Sequence, residues 1–237
     1  MREKPRISAT KLAEYMCASF ARKRAILQEN KFPQEVAMVR WTQAERPIAQ
    51  YVAEGSSELG FLDREIEKLQ ATDPDTEFKT QNRDLCVEAL ETFKQLSNQL
   101  LLTDFKRSVG PTRQSMPIAI NGVVVSVLPQ IILESMTRKG EKVVGGVKFS
   151  FPKSHPLKET SAEFLSTLVH WHCEEHLSTL GRSDMRLCYA VDVPTSTVFQ
   201  PPKTYKRRRQ YIQEACHEIV QRWPNVPAPT GYTEADT

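Results

Sequence analysis

The stretch Ile118 to Phe151, IAINGVVVSVLPQIILESMTRKGEKVVGGVKFSF, decides the fold class. Ile118 to Leu128 is rich in β-branched residues and carries Asn121-Gly122, a pair suited to a tight hairpin turn, so it reads as strand, turn, strand. Ile131-Ile132-Leu133 continues in the same manner, and Arg138-Lys139-Gly140-Glu141 supplies a second turn. Val143 to Phe151 is then a further strand, with Gly145-Gly146 inside it. That is a β-meander.

Working outward from it, a turn around Pro152 to Pro156 leads to a helix over about Thr160 to Leu180. After Gly181, Met185 to Val193 reads as a buried strand and Ser196 to Gln200 as its short partner. A last helix covers about Tyr205 to Trp223, and the tail beyond Pro224, with Pro227 and Pro229, is irregular. Upstream, roughly the first hundred residues are helical in pattern. Ser8 is an N-cap for a helix running to about Asn30, with Leu12, Tyr15, Met16, Phe20, Ile26 and Leu27 near helical spacing. Further helices are expected over Gln43 to Gly55, Leu59 to Gln70 and Gln81 to Leu102. The character changes near Val109-Gly110-Pro111. The expected architecture is therefore α/β: a mixed central sheet flanked by helices, with a helical N-terminal segment over 1–108, a core over 109–224 and an irregular tail over 225–237.

Composition removes several classes. With 40% apolar and 26% charged residues among 237, the chain is neither collagen-like nor low-complexity. The longest mostly apolar run, Val123 to Leu133, is broken by Pro129 and too short to span a bilayer, so no membrane partner is expected. Lys11 and Glu14 interrupt the N-terminal region, which therefore does not read as a secretory signal. Cys17, Cys86, Cys173, Cys188 and Cys216 are odd in number and scattered, which points to a reducing, cytoplasmic setting. A net charge of +3 means that any basic site must be local.

The order strand, Pro129-Gln130, turn, strand ending in Gly146-Val147-Lys148, helix, strand resembles the PD-(D/E)XK nuclease superfamily. Ser8, Leu12 and Tyr15 are similar to the Ser-x-x-x-Leu-x-x-Tyr opening of its RecB-like members. The resemblance implies a restriction-endonuclease-like core acting on nucleic acid. In that family two carboxylates on neighbouring strands hold Mg²⁺ or Mn²⁺, and the lysine, here Lys148, orients the attacking water. This chain departs from the pattern at both acids: Gln130 stands where the family has Asp, and Gly146 where it has the second carboxylate. Glu134, further along its strand, and Glu54, from the helical segment, are the carboxylates expected to replace them in an active metal-dependent DNA or RNA nuclease. Otherwise the expectation is an inactive nucleic-acid-binding protein without a cofactor, or an ordinary buried meander with a solvent-facing Lys148.

Two other clusters carry chemistry. His172 to His176 spells H-x-x-E-H, which on a helix places both imidazoles on one face as a candidate zinc site, with Glu214 or Glu218 as third ligand. The opposing reading makes His172 a core residue on the stripe of Leu165, Leu168 and Val169. Lys206-Arg207-Arg208-Arg209, flanked by Tyr205 and Tyr211, is the densest basic run and a candidate nucleic-acid contact, with Arg22 and Arg24 as further cations. A solvated helix face, or contact with a protein partner, is the alternative.

Overall fold

The structure, a computed structural model, describes residues 1–33, 41–55, 59–97, 100, 102, 104–110 and 117–232. In chain order the elements are β1 (Arg6–Ser8), α1 (Ala9–Cys17), α2 (Phe20–Lys31), α3 (Thr42–Ala53), α4 (Leu59–Gln70) and α5 (Glu77–Leu96). There follow β2 (Lys106–Val109), β3 (Ile118–Ile120), β4 (Val123–Ser126), β5 (Ile131–Met136), β6 (Lys142–Ser150), α6 (Glu159–His176), β7 (Arg182–Asp192), β8 (Thr197–Phe199) and α7 (Tyr205–Arg222).

The strands and turns expected over 118–151 form for the expected local reasons, but the single meander does not: β3–β4 and β5–β6 are two hairpins in separate sheets, because β4 pairs with β1 rather than with β5. Asn121 and Gly122 both adopt positive φ, 44° and 85°, so a two-residue turn joins β3 to β4 with Ile120 opposite Val123. Gly140, at φ 80°, closes the β5–β6 hairpin, where Thr137 N–H donates to Glu141 O at 2.9 Å. The larger sheet runs β2-β5-β6-β7-β8. Its strands are antiparallel except β6 and β7, which run parallel and are joined by α6. A smaller sheet, β1-β4-β3, pairs β1 parallel to β4. The fold is the mixed, helix-flanked α/β class expected from the sequence.

Alternation along the strands divides the core in two. Ile132, Val144, Cys188 and Ala190 face α1, α2, α6, α7 and the small sheet. Ile131, Leu133, Val147, Phe149 and Val191 face α3, α4 and α5. The expected helical lead is thus distributed over both faces of the sheet. The 108/109 boundary falls inside β2, whose residues pair with Ile131 to Glu134 of β5.

Local differences have local causes. The single helix expected from Ser8 to Asn30 is two, because Ala18 is extended and Ser19 caps a new helix, accepting from Arg22 N–H. The fourth expected helix starts earlier, at Glu77, where Thr76 accepts from Lys79 N–H at 3.3 Å. Residues 98, 99 and 101 of that expected helix, Pro111 and the last five residues of the tail lie outside the described residues. Strands β1 and β2, of three and four residues, escaped the sequence reading. Gly145 is required by packing: four β7 residues, Asp184 to Leu187, lie opposite it, and a Cβ there would come within 2.4 Å of Leu187. Lys31, 7% exposed, donates to the carbonyls of Trp223 (2.8 Å), Pro224 (3.2 Å) and Val226 (3.2 Å), fastening α2 to the end of α7. Among the described residues no helix is long and apolar enough to cross a membrane.

Candidate functional site

Leu128 is the strained residue of the region, with φ 47° immediately before Pro129. That backbone turns its carbonyl toward Lys148, whose Nζ donates to it at 2.9 Å. Pro129 and Gln130 then enter β5, and Gln130 N–H donates to Val147 O at 2.9 Å, placing Gln130 beside Lys148 across the strand pair. The two residues singled out from motif order are therefore neighbours in space.

The Gln130 side chain, 7% exposed, is bonded at both ends. Its Oε1 accepts from Phe149 N–H at 2.9 Å, and its Nε2 donates to Glu45 Oε1. Glu45, in the first turn of α3, is the carboxylate that the helical segment brings to this centre. Sequence reasoning looked to the same helix but to Glu54. Glu54 caps the far end of α3, nine residues or about 13 Å away, where it accepts from Gln50 Nε2 at 2.9 Å. Glu134 lies opposite Val144, four residues or about 13 Å along the strand from Lys148, and pairs with Lys106 at 2.9 Å. The expectation that Glu54 and Glu134 would supply acids beside Lys148 is corrected to Glu45.

Burial lowers the pKa of the Lys148 ammonium, and the Glu45 charge offsets part of that effect. Gly146 faces the same side of β6, yet a Cβ there would stand 3.0 Å from both Ile131 O and Pro129 Cβ, so the position is closely packed. The donor set does not fit a Mg²⁺ or Mn²⁺ centre. Among the described residues Glu45 is the one carboxylate bonded to the cluster, the Gln130 oxygen is already taken by Phe149 N–H, and glycine offers no side-chain ligand.

The histidines of α6 divide by environment. His170 Nδ1 accepts from Arg209 at 2.8 Å, and burial followed by Arg209 pushes His170 down to about 4. His172, 1% exposed, leaves both ring nitrogens without a partner. Burial, then His176, then Lys148 push it down to about 4. Its ring lies 4.9 Å from that of His176, edge to face, and His176 Nε2 sits 3.3 Å from Pro117 O. Glu218 pairs with Lys23 (3.4 Å) and Arg222 (2.9 Å), while Glu214 lines a shallow groove with Asn121, Gln210, Gln213 and His217. Among the described residues no three or more His, Cys, Asp or Glu side chains form a metal-holding group. The structure brings His172 and His176 together without bringing Glu214 or Glu218 to them.

The basic run of α7 is only partly available. Arg208 forms an ion pair with Glu163, and Arg209 with Glu174 at 2.5 Å, while Arg209 also lies 4.8 Å over the Trp171 ring. Both tie α7 to α6. Lys206 and Arg207 are exposed, with Arg207 Nε donating to Tyr211 OH at 2.6 Å. Arg22 pairs with Glu14 and Glu29, both at 2.7 Å, and Arg24 is exposed. Of the candidate nucleic-acid contacts at 206–209, Lys206 and Arg207 stand exposed while Arg208 and Arg209 are engaged by α6.

No protein-family model matches this chain, and no curated protein matches it.

Proposed function

We propose that this chain is a nucleic-acid-binding protein built on a PD-(D/E)XK nuclease-like core, with the metal chemistry of that core absent. The observation that carries the reading is the Gln130 amide bridging Phe149 N–H and Glu45 beside Lys148. The β5–β6 hairpin, crossover helix and parallel strand support the reading by their order, and a neutral hydrogen-bonded amide occupies the position at which that metal chemistry needs an anion. All five cysteines are free thiols, four of them buried, which suits a reducing cytoplasm.

Glu45 favours a second reading, a metal-dependent nuclease in which that carboxylate serves with Lys148. It ranks below the first because Mg²⁺ is held by anionic oxygens and Glu45 is already hydrogen-bonded to Gln130. Both are tested on labelled single- and double-stranded DNA and RNA, with binding read by fluorescence anisotropy and cleavage on a denaturing gel in Mg²⁺ or Mn²⁺. Salt-sensitive binding to intact strands is expected. Cleavage that disappears in Lys148→Ala and Glu45→Ala would establish the nuclease instead.

A further inference from the structure

The densest run of cations in the sequence is half engaged by α6, which leaves Lys206 and Arg207 exposed. A second group of exposed cations, Arg138, Lys139 and Lys142, lies at the turn end of the β5–β6 hairpin. Arg182 and Arg186, at the start of β7, have side chains 62% and 79% exposed. Against these five cations stand two acids. Asp184 is chelated by Arg186 at 2.6 Å, and Glu141 lies 3.8 Å from Arg182 in an ion pair open to solvent on both sides. Such a pair contributes little and exchanges readily for another anion.

The surface is built rather than incidental. Thr137 fixes the turn from three directions: its N–H donates to Glu141 O (2.9 Å), its carbonyl accepts from Gly140 N–H (2.9 Å), and its hydroxyl accepts from Glu141 N–H (3.1 Å). A Cβ at Gly140 would meet nothing within 4 Å, so no described element covers the tip. The hairpin also extends beyond β2, since β2 begins opposite Glu134 while β5 and β6 remain paired through Met136 and Lys142. On the other side of β6 the pairing with β7 begins at Val143 opposite Arg182, so the cations of the turn and of the start of β7 share one exposed corner of the sheet. Met136 and Leu180 are the large exposed apolar residues here, fewer than insertion into a bilayer interface employs.

We infer that the tip formed by residues 136–142 and 180–186 is a phosphate-contacting surface for nucleic acid, separate from the Lys148 centre, which lies six residues or about 20 Å along β6 from Lys142. This rests on the nucleic-acid-binding reading above and adds where the backbone is held.

The test compares the wild-type chain with Arg138→Ala/Lys139→Ala/Lys142→Ala/Arg182→Ala and with Lys206→Ala/Arg207→Ala. All three are titrated against a labelled duplex and a labelled single strand over a salt series, with circular dichroism and thermal melting as fold controls. The quadruple variant is expected to melt like wild type, to bind at least about tenfold more weakly at low salt, and to lose about 3 from the slope of log K against log salt. The α7 variant is expected to change affinity by less than about threefold. A quadruple variant that binds like wild type overturns the inference and leaves the nucleic-acid reading standing. A wild-type chain that binds no strand at low salt overturns both. Binding to phosphatidylserine vesicles in preference to either oligonucleotide, lost in the quadruple variant, assigns the tip to a membrane surface and also overturns it.

Discussion

The two ends of β6 carry polar side chains of opposite fates. At the Lys148 end every polar group named above turns inward: Lys148 to Leu128 O, Gln130 to Phe149 N–H and Glu45. At the Lys142 end the cations turn outward, over a turn that satisfies its own backbone. The difference teaches that the residues singled out by motif order sit at the end that holds the fold, while the available charge, the basis of the phosphate-contact proposal, sits at the other. Substitutions at the first end should therefore cost stability and spare binding, and those at the second should do the reverse.

The largest expected effect is the acid response of the inward-facing α6 histidines. His170 and His172 are each pushed down to about 4, whereas the unfolded chain takes up protons near the ordinary histidine value of about 6.5. Their contribution is complete above about pH 6.5 and is lost as pH falls toward 4, on the order of 5 kcal/mol for the two together. Urea denaturation at a series of pH values measures it, and a flat profile between pH 7 and 4.5 would contradict the buried neutral state. His172→Phe should remove about half of this dependence and leave stability at pH 7 unchanged or raised by about 1 kcal/mol, because neither ring nitrogen has a partner to lose.

Next in size is Gln130→Leu, which strands Phe149 N–H and Glu45 and is expected to cost about 3 kcal/mol. Oligonucleotide affinity of the folded protein should be unchanged, so a variant that keeps its stability but loses binding would break the comparison. Lys31→Met removes three carbonyl bonds between α2 and the end of α7 and should cost about 2 kcal/mol in the same denaturation assay. The smallest stability effect belongs to the outward end. Arg138→Ala with Lys139→Ala should shift unfolding by no more than about 0.5 kcal/mol while still weakening binding at low salt.

Much of this fold was legible because its signals are local. Asn121-Gly122 dictates its turn, α4 has the bounds its periodicity indicates, and the β-branched runs of β4 to β7 are strands. Arg6–Ser8 and Lys106–Val109 are too short and too polar to show a period; pairing with β4 and β5 makes them strands. The same division runs through the candidate site. The order of Pro129, Gln130 and Lys148 is a property of consecutive strands, so their adjacency could be read in advance. Glu45 reaches Gln130 across 85 residues, and Arg209 reaches Glu174 across 35, through packing of α3 and α6 that no spacing encodes. The basic run therefore looked freer, and the centre poorer in acid, than they are. Gly146 has a packing cause that the motif comparison alone could not supply, since Pro129 and Ile131 close over it.

The claim that a neutral amide has displaced the metal centre is tested most directly by calorimetric titration of the wild-type chain with Mn²⁺, with Glu45→Ala beside it. No saturable site at millimolar Mn²⁺ is the result expected from one carboxylate already bonded to Gln130. A stoichiometric site present in the wild type and lost in Glu45→Ala would contradict the account.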